Sequence, residues 1–224
     1  MTHDHDSRDG RNDDGQLEIE RYRWPIRINH WILAISFVLV ALSGLSLFDP
    51  ALFPLSMLFG GGPWTRILHP FIGLVMVIAF ALLGWRMWRD NLLTKNDVTW
   101  LRDIREVLEN KDENLPPVGR FNAGQKLLFW TIVGCLSALL LTGFVIWRAY
   151  FSQLFPIGLI RFSVLIHALC GWVLICGIIV HIYAAIWIKG SVKAMTGGKV
   201  SYGWAYKHHR SWFREVIAGR RNND

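Results

Sequence analysis

Four long apolar runs, separated by polar or Pro/Gly-rich segments and flanked by polar ends, make up the hydrophobic pattern of this chain. They cover about Ile28 to Phe48, Arg66 to Trp85, Gly124 to Trp147 and Phe162 to Trp187. A helix needs about 20 mostly apolar residues to cross a hydrocarbon layer of about 30 Å, and each run is long enough. The pattern therefore predicts an all-α integral membrane protein built as a bundle of four transmembrane helices. In the polar connection between the second and third runs, Asp97 to Asn110 sets Trp100, Leu101, Ile104, Val107 and Leu108 on one helical face. That predicts a helix lying on the membrane surface, and Trp204 to Ile217 is expected to behave alike. Residues 1–20 are largely acidic and polar without periodicity, which predicts a disordered tail. Residues 21–190 are then the membrane domain and 191–224 a basic C-terminal segment.

Composition and charge add a location and an orientation. A hydrophobic content of 52% and a mean hydropathy of +0.28 over 224 residues are too high for an ordinary soluble domain. Several of the 12 Trp, among them Trp24, Trp64, Trp85, Trp147 and Trp187, stand at the edges of apolar runs, as headgroup-level aromatics do. Only Arg66, Arg148 and Arg161 border the first and third connections; the other basic residues lie in the N-terminal segment, the middle connection and the tail. The positive-inside rule puts those three segments, and both termini, in the cytoplasm, with the protein in a bacterial cytoplasmic (inner) membrane. The same asymmetry accounts for the net charge of +7, so no nucleic-acid partner is implied. The first residues lack the basic, apolar and small-residue regions of a cleaved signal peptide, and none is expected.

The candidate chemistry lies in histidines. Four of the eight, His30, His69, His167 and His181, fall inside the apolar runs, where an ionisable side chain is costly and by default functional. With the orientation above, His30 and His181 are near the cytoplasmic ends of their spans and His69 and His167 near the periplasmic ends, so they sort into two pairs by depth. His167 and His181 are fourteen residues apart, about 21 Å along a helix and within about 40° of one face. Two His without a nearby carboxylate or Cys suit a low-spin haem iron with both axial positions filled, an electron carrier. Gly73, Gly171 and Gly177, each one turn from a histidine, and Ala34 beside His30, leave room for a porphyrin. Cys135, Cys170 and Cys176 are in apolar runs and no C-x-x-C-H attachment motif exists, so the expected cofactors are two non-covalent haem b groups. His3 and His5 in the tail, and the adjacent His208 and His209, are expected to be solvated or lipid-facing.

On RINHW (27–31), RILHPFIG (66–73), GRFNAGQK (119–126), TGFVIWRAYF (142–151), RFSVLIHA (161–168), VHIYAAIWIKGS (180–191) and WAYKHHRSWFREV (204–216), the chain resembles the cytochrome b (gamma) subunit of membrane-bound formate dehydrogenase. The resemblance implies a respiratory electron carrier that takes electrons from an iron-sulfur (beta) subunit on the periplasmic side and reduces quinone near the cytoplasmic haem. Formate oxidation itself belongs to a separate catalytic (alpha) subunit. It implies haem ligation by His69 with His167 and by His30 with His181, and a quinone site involving Asn122 and Gln125. Without the resemblance, Asn122 reads as a helix N-cap and Gln125 as its first-turn partner, and both roles can coexist. Ala149 departs from the proline expected in the WRAYF stretch. The cytochrome b subunit of a nickel-iron hydrogenase has a similar plan, and a haem-free anchor or transporter with histidine proton relays is the alternative from another class. The latter needs acidic partners within the spans, and the apolar cores hold none.

Overall fold

Each apolar run folds as one long helix. The computed structural model describes residues 9–11, 15–108 and 116–221. In chain order they form strands β1 (Asp9–Arg11) and β2 (Leu17–Glu20) and helices α1 (Trp24–Phe48), α2 (Gly62–Met87), α3 (Lys95–Arg102), α4 (Ile104–Leu108), α5 (Ala123–Ile146), α6 (Ile157–Trp187) and α7 (Ser191–Thr196). Strand β3 (Lys199–Ser201) and helices α8 (Tyr202–His208) and α9 (Arg210–Arg221) complete the chain. Helices α1, α2, α5 and α6 are long and apolar enough to cross a membrane. Helices α1, α2 and α6 begin four or five residues ahead of their apolar runs. Pro25 occupies the first turn of α1, where its missing N–H costs nothing, and the carbonyl of Pro156 accepts the first amides of α6, which starts at Ile157 rather than Phe162. The first connection, Pro/Gly-rich in sequence, contains a 3-10 helix over Pro50–Phe59, capped by the Asp49 carboxylate and ended by Gly60 at φ 87°.

The described residues separate into two compact units. One, 28–86 with 128–183, contains most of the four long helices. Its core is Met76, Leu136 and Leu174, with Leu33, Phe37, Val40, Phe80, Ile132 and Leu139 packed around them. Large apolar side chains such as Ile35, Ile78, Leu141, Ile179 and Val180 point outward instead. That distribution is stable only where the solvent is itself apolar. Within this unit Asn29 Nδ2 donates to the Ala79 carbonyl at 2.8 Å, tying α1 to α2. Beyond α5, Trp147 stacks edge-on with Phe71, Tyr150 and Phe151, and its carbonyl accepts the amides of Tyr150, Phe151 and Ser152, which closes the short connection to α6.

The other unit collects the N-terminal segment, the middle connection and the C-terminal segment. The strands form an antiparallel sheet in the order β1-β2-β3, with Ile19 opposite Val200. Residues 17–20, assigned to the disordered tail from sequence, are thus ordered: Ile19 is only 1% exposed, and pairing with a distant strand supplies what local periodicity could not. His3 and His5 lie outside the described residues. The amides of Arg21 and Tyr22 donate to the Gly198 carbonyl, and a Cβ on Gly198 would meet the Tyr22 carbonyl oxygen at 2.7 Å, so only glycine fits there. Arg27 closes the end of α7 by donating to the carbonyls of Met195, Thr196 and Gly197. The expected surface helix breaks at Asp103 into α3 and α4. Trp100 is buried while Leu101 and Ile104 are exposed, and the expected face is described only as far as Ile104. Lys126 donates to Asp97 at 2.8 Å in a nearly buried ion pair that joins α3 to the start of α5.

His209 corrects a second expectation. Its neighbour in sequence, His208, is half-buried, but His209 itself is 3% exposed. The helix expected over Trp204 to Ile217 breaks there into α8 and α9. Its Nδ1–H donates to the Gly119 carbonyl at 2.8 Å, its Nε2 faces Arg21, and its ring stacks on Trp204. Arg21 in turn lies 4.2 Å over the Trp212 ring and donates to the Arg120 carbonyl. Adjacent histidines cannot share a helix face, but a break between them lets one turn inward, which spacing alone does not reveal. Burial, and then the charge of Arg21, push the His209 pKa down to about 3. The unfolded chain therefore binds a proton that the folded chain refuses between about pH 6.5 and 3. Stability from this group is complete above pH 6.5 and falls as the solution is acidified. The expected loss between pH 7 and 5 is about 2 kcal/mol, and His209→Asn should remove that slope in thermal unfolding of the detergent-solubilised protein.

Candidate functional site

The four histidines of the spans all belong to the helical unit. His30 from α1 faces His181 from α6 with ring centroids 6.5 Å apart, and His69 from α2 faces His167 from α6 at 6.3 Å. These are the pairs suggested by depth. Two imidazoles bonded in trans to one metal ion, each through a ring nitrogen at about 2 Å, have centroids about 6 to 6.5 Å apart. Both pairs match that spacing. A metal held by side chains alone needs three or four donors, and among the described residues no group of three His, Cys, Asp or Glu exists. Two imidazoles suffice only where a cofactor supplies the remaining ligands, as a porphyrin does.

Residues that the sequence reading missed hold the second of these pairs. Ser43 Oγ lies 2.8 Å from His69 Nδ1, and Thr142 Oγ1 lies 2.9 Å from His167 Nδ1. Each hydroxyl donates its own proton to a backbone carbonyl, Ser43 to Val40 at 3.0 Å and Thr142 to Ala138 at 2.6 Å. With the hydroxyl proton on that carbonyl, the oxygen accepts from the histidine, which puts the ring proton on Nδ1 and leaves the Nε2 lone pair for a metal. The next residue is glycine in both cases. A Cβ on Gly44 would stand 3.2 Å from His69 Cε1, and one on Gly143 3.5 Å from His167 Cε1. The repeated signal, Leu-Ser-Gly at 42–44 and Leu-Thr-Gly at 141–143, is visible in the sequence once a histidine is known to face it. Of the glycines chosen from sequence, a Cβ on Gly73 or Gly171 would meet nothing within 4 Å, leaving open space one turn from His69 and His167. Gly177 differs: its Cβ would touch Leu128 of α5 at 3.4 Å, which makes it a helix-packing residue.

Asn122 and Gln125 lie in the other unit and cap α5 reciprocally. The Gln125 amide donates to Asn122 Oδ1 at 2.9 Å, and the Asn122 amide donates to Gln125 Oε1 at 3.0 Å. Both side-chain oxygens are committed to the cap, whereas the two side-chain NH2 groups point to no described partner. The same unit holds a cavity of about 430 Å³ lined by Asp90, Arg120, Phe121, Lys126, Trp212 and Glu215. Its charges are balanced by the Arg120–Asp90 and Lys126–Asp97 pairs, so it lacks the single-sign field of a charged-substrate site.

The sequence profile of the prokaryotic cytochrome b561 family matches residues 21–198. The chain is 46% identical over 198 residues to the cytochrome b556(Fdn) subunit of the nitrate-inducible formate dehydrogenase of Escherichia coli (strain K12), covering 88% of this chain and 91% of that protein. It is 44% identical, over 88% of itself and 93% of the relative, to the formate dehydrogenase cytochrome b556(fdo) subunit of the same strain. The formate dehydrogenase cytochrome b556 subunit of Haemophilus influenzae is 39% identical over 92% of this chain and 87% of its own.

Proposed function

The chain belongs to the prokaryotic cytochrome b561 family, and from that premise we propose that it is the dihaem cytochrome b subunit of a respiratory formate dehydrogenase. His69 and His167 hold one haem b and His30 and His181 the other. The observation that carries this is the centroid spacing of both pairs, 6.3 and 6.5 Å. Bound haem would supply reversible one-electron transfer. The helices hold the two pairs fourteen residues apart on α6, so that they form consecutive stations across the apolar layer.

Electrons enter from an iron-sulfur subunit on the periplasmic side, near His69 and His167, and leave to quinone on the cytoplasmic side. The chain has no Cys-rich cluster motif, so formate is oxidised by another subunit. The gathering in one unit of the three segments that hold most of the Lys and Arg supports a common side for both termini and the middle connection, the cytoplasmic side by the positive-inside rule. Inward electron movement works against an inside-negative potential, about 2.3 kcal/mol per charge per 100 mV, and so conserves energy without a pumped proton. A hydrogenase subunit of the same plan is reduced by hydrogen instead. In native membranes, haem reduction by formate and not by hydrogen is the expected result, and the reverse overturns the assignment.

The side-chain NH2 groups of Asn122 and Gln125 serve as donors to a quinone carbonyl. Asn122→Asp and Gln125→Glu keep the capping oxygens and replace each NH2 donor by an ionised, acceptor-only carboxylate oxygen. Both variants are expected to retain their haem spectra and to lose quinone reduction at least tenfold. Unchanged turnover in both confines these residues to the helix cap.

A further inference from the structure

The two histidine pairs differ in one respect that the shared ligand set does not require. His69 and His167 each have Nδ1 within hydrogen-bond distance, 2.8 and 2.9 Å, of a hydroxyl that also reaches a backbone carbonyl of its own helix. Among the described residues, His30 Nδ1 is buried with no hydrogen-bond partner, and the His181 ring makes no hydrogen bond. We propose that Ser43 and Thr142 are positioning residues that fix the tautomer of His69 and His167 and thereby lower the reduction potential of the site those two hold below that of the His30/His181 site. The inference rests on the two-haem assignment above.

An imidazole that donates through Nδ1 is a stronger base at Nε2, and a more basic axial ligand favours ferric over ferrous iron. The effect has the same sign for both rings of one site, so the two contributions reinforce each other. In an apolar helix bundle, where water does not compete, each bond counts for more than at a surface. Ser43 is fully buried and sits on α1, while Thr142 sits on α5; the ring they grip comes from α2 in one case and from α6 in the other. The grip therefore also sets each ring's orientation through a helix other than its own. Electrons move from lower to higher potential. An anchored His69/His167 site and an unanchored His30/His181 site thus give a downhill direction from the first to the second, the direction the function requires.

The test is a spectroelectrochemical titration of the purified full-length protein, with haem per polypeptide measured alongside, for wild type, Ser43→Ala, Thr142→Ala, Thr142→Val and Thr142→Ser. Wild type is expected to show two midpoints. Ser43→Ala and Thr142→Val should keep both haems and move the lower midpoint upward, leaving the other in place and shifting the low-spin ferric EPR signal of the same haem. Thr142→Ser restores the hydroxyl and should return both readouts to wild type. Thr142→Val keeps the volume of the side chain, so a haem lost from Thr142→Ala but kept in Thr142→Val with a raised midpoint still supports the role. Two retained haems with unmoved midpoints in Ser43→Ala and Thr142→Val overturn it, as does a shift confined to the higher midpoint. A wild-type protein with fewer than two haems instead overturns the assignment on which the inference rests.

Discussion

Replacing His69 by alanine is expected to remove one of two haems from the protein, and replacing His30 by alanine to remove the other. Among the described residues each ring faces one other histidine, at 6.3 Å for His69 and 6.5 Å for His30, so neither has a second histidine there to take its place. Losing one histidine of a pair would leave the porphyrin with a single histidine to hold it. The remaining site is built from different residues and should persist, since the two pairs share only α6 and are held in it fourteen residues apart. Haem per polypeptide should fall by half in each variant, and the redox transition that disappears should differ between them. Retention of both haems in either variant removes that histidine from the ligand set.

A larger functional effect is expected from His167→Ala. In the function proposed above, His167 belongs to the site that meets the electron donor first, in series with the other. Formate-driven quinone reduction by the assembled complex should drop to background, whereas added quinol should still reduce the haem between His30 and His181. That asymmetry separates a broken relay from a misfolded bundle, in which both routes fail. Formate-to-quinone turnover near the wild-type rate sinks the series arrangement.

Both predictions depend on residues that stand out in the sequence, because an imidazole within an apolar run is conspicuous. The four spans were legible for the same reason: each run is long enough to cross the membrane without support from its neighbours. What the sequence concealed depends on tertiary contact. Ile19 is a lone apolar residue in a polar stretch, and only pairing with Val200 gives it a core. His209 looks like half of a solvated pair until a break in the helix turns it beneath Trp204 and against Arg21. Ser43 and Thr142 are single hydroxyls in apolar helices, the commonest kind of back-bonding residue, and their contact with histidine depends on which helix lies opposite. Gly177 had the right spacing from His181 for a porphyrin slot, yet it faces Leu128. Spacing along one helix says which face a residue is on, but not what stands across from it.

The central claim is that each histidine pair holds one six-coordinate haem iron. It is tested most directly by measuring haem per polypeptide of the purified chain together with the EPR spectrum of its oxidised form. Two non-covalent b haems per chain, both low-spin ferric, are the predicted result. One haem, none, or a high-spin signal of comparable weight contradicts the account.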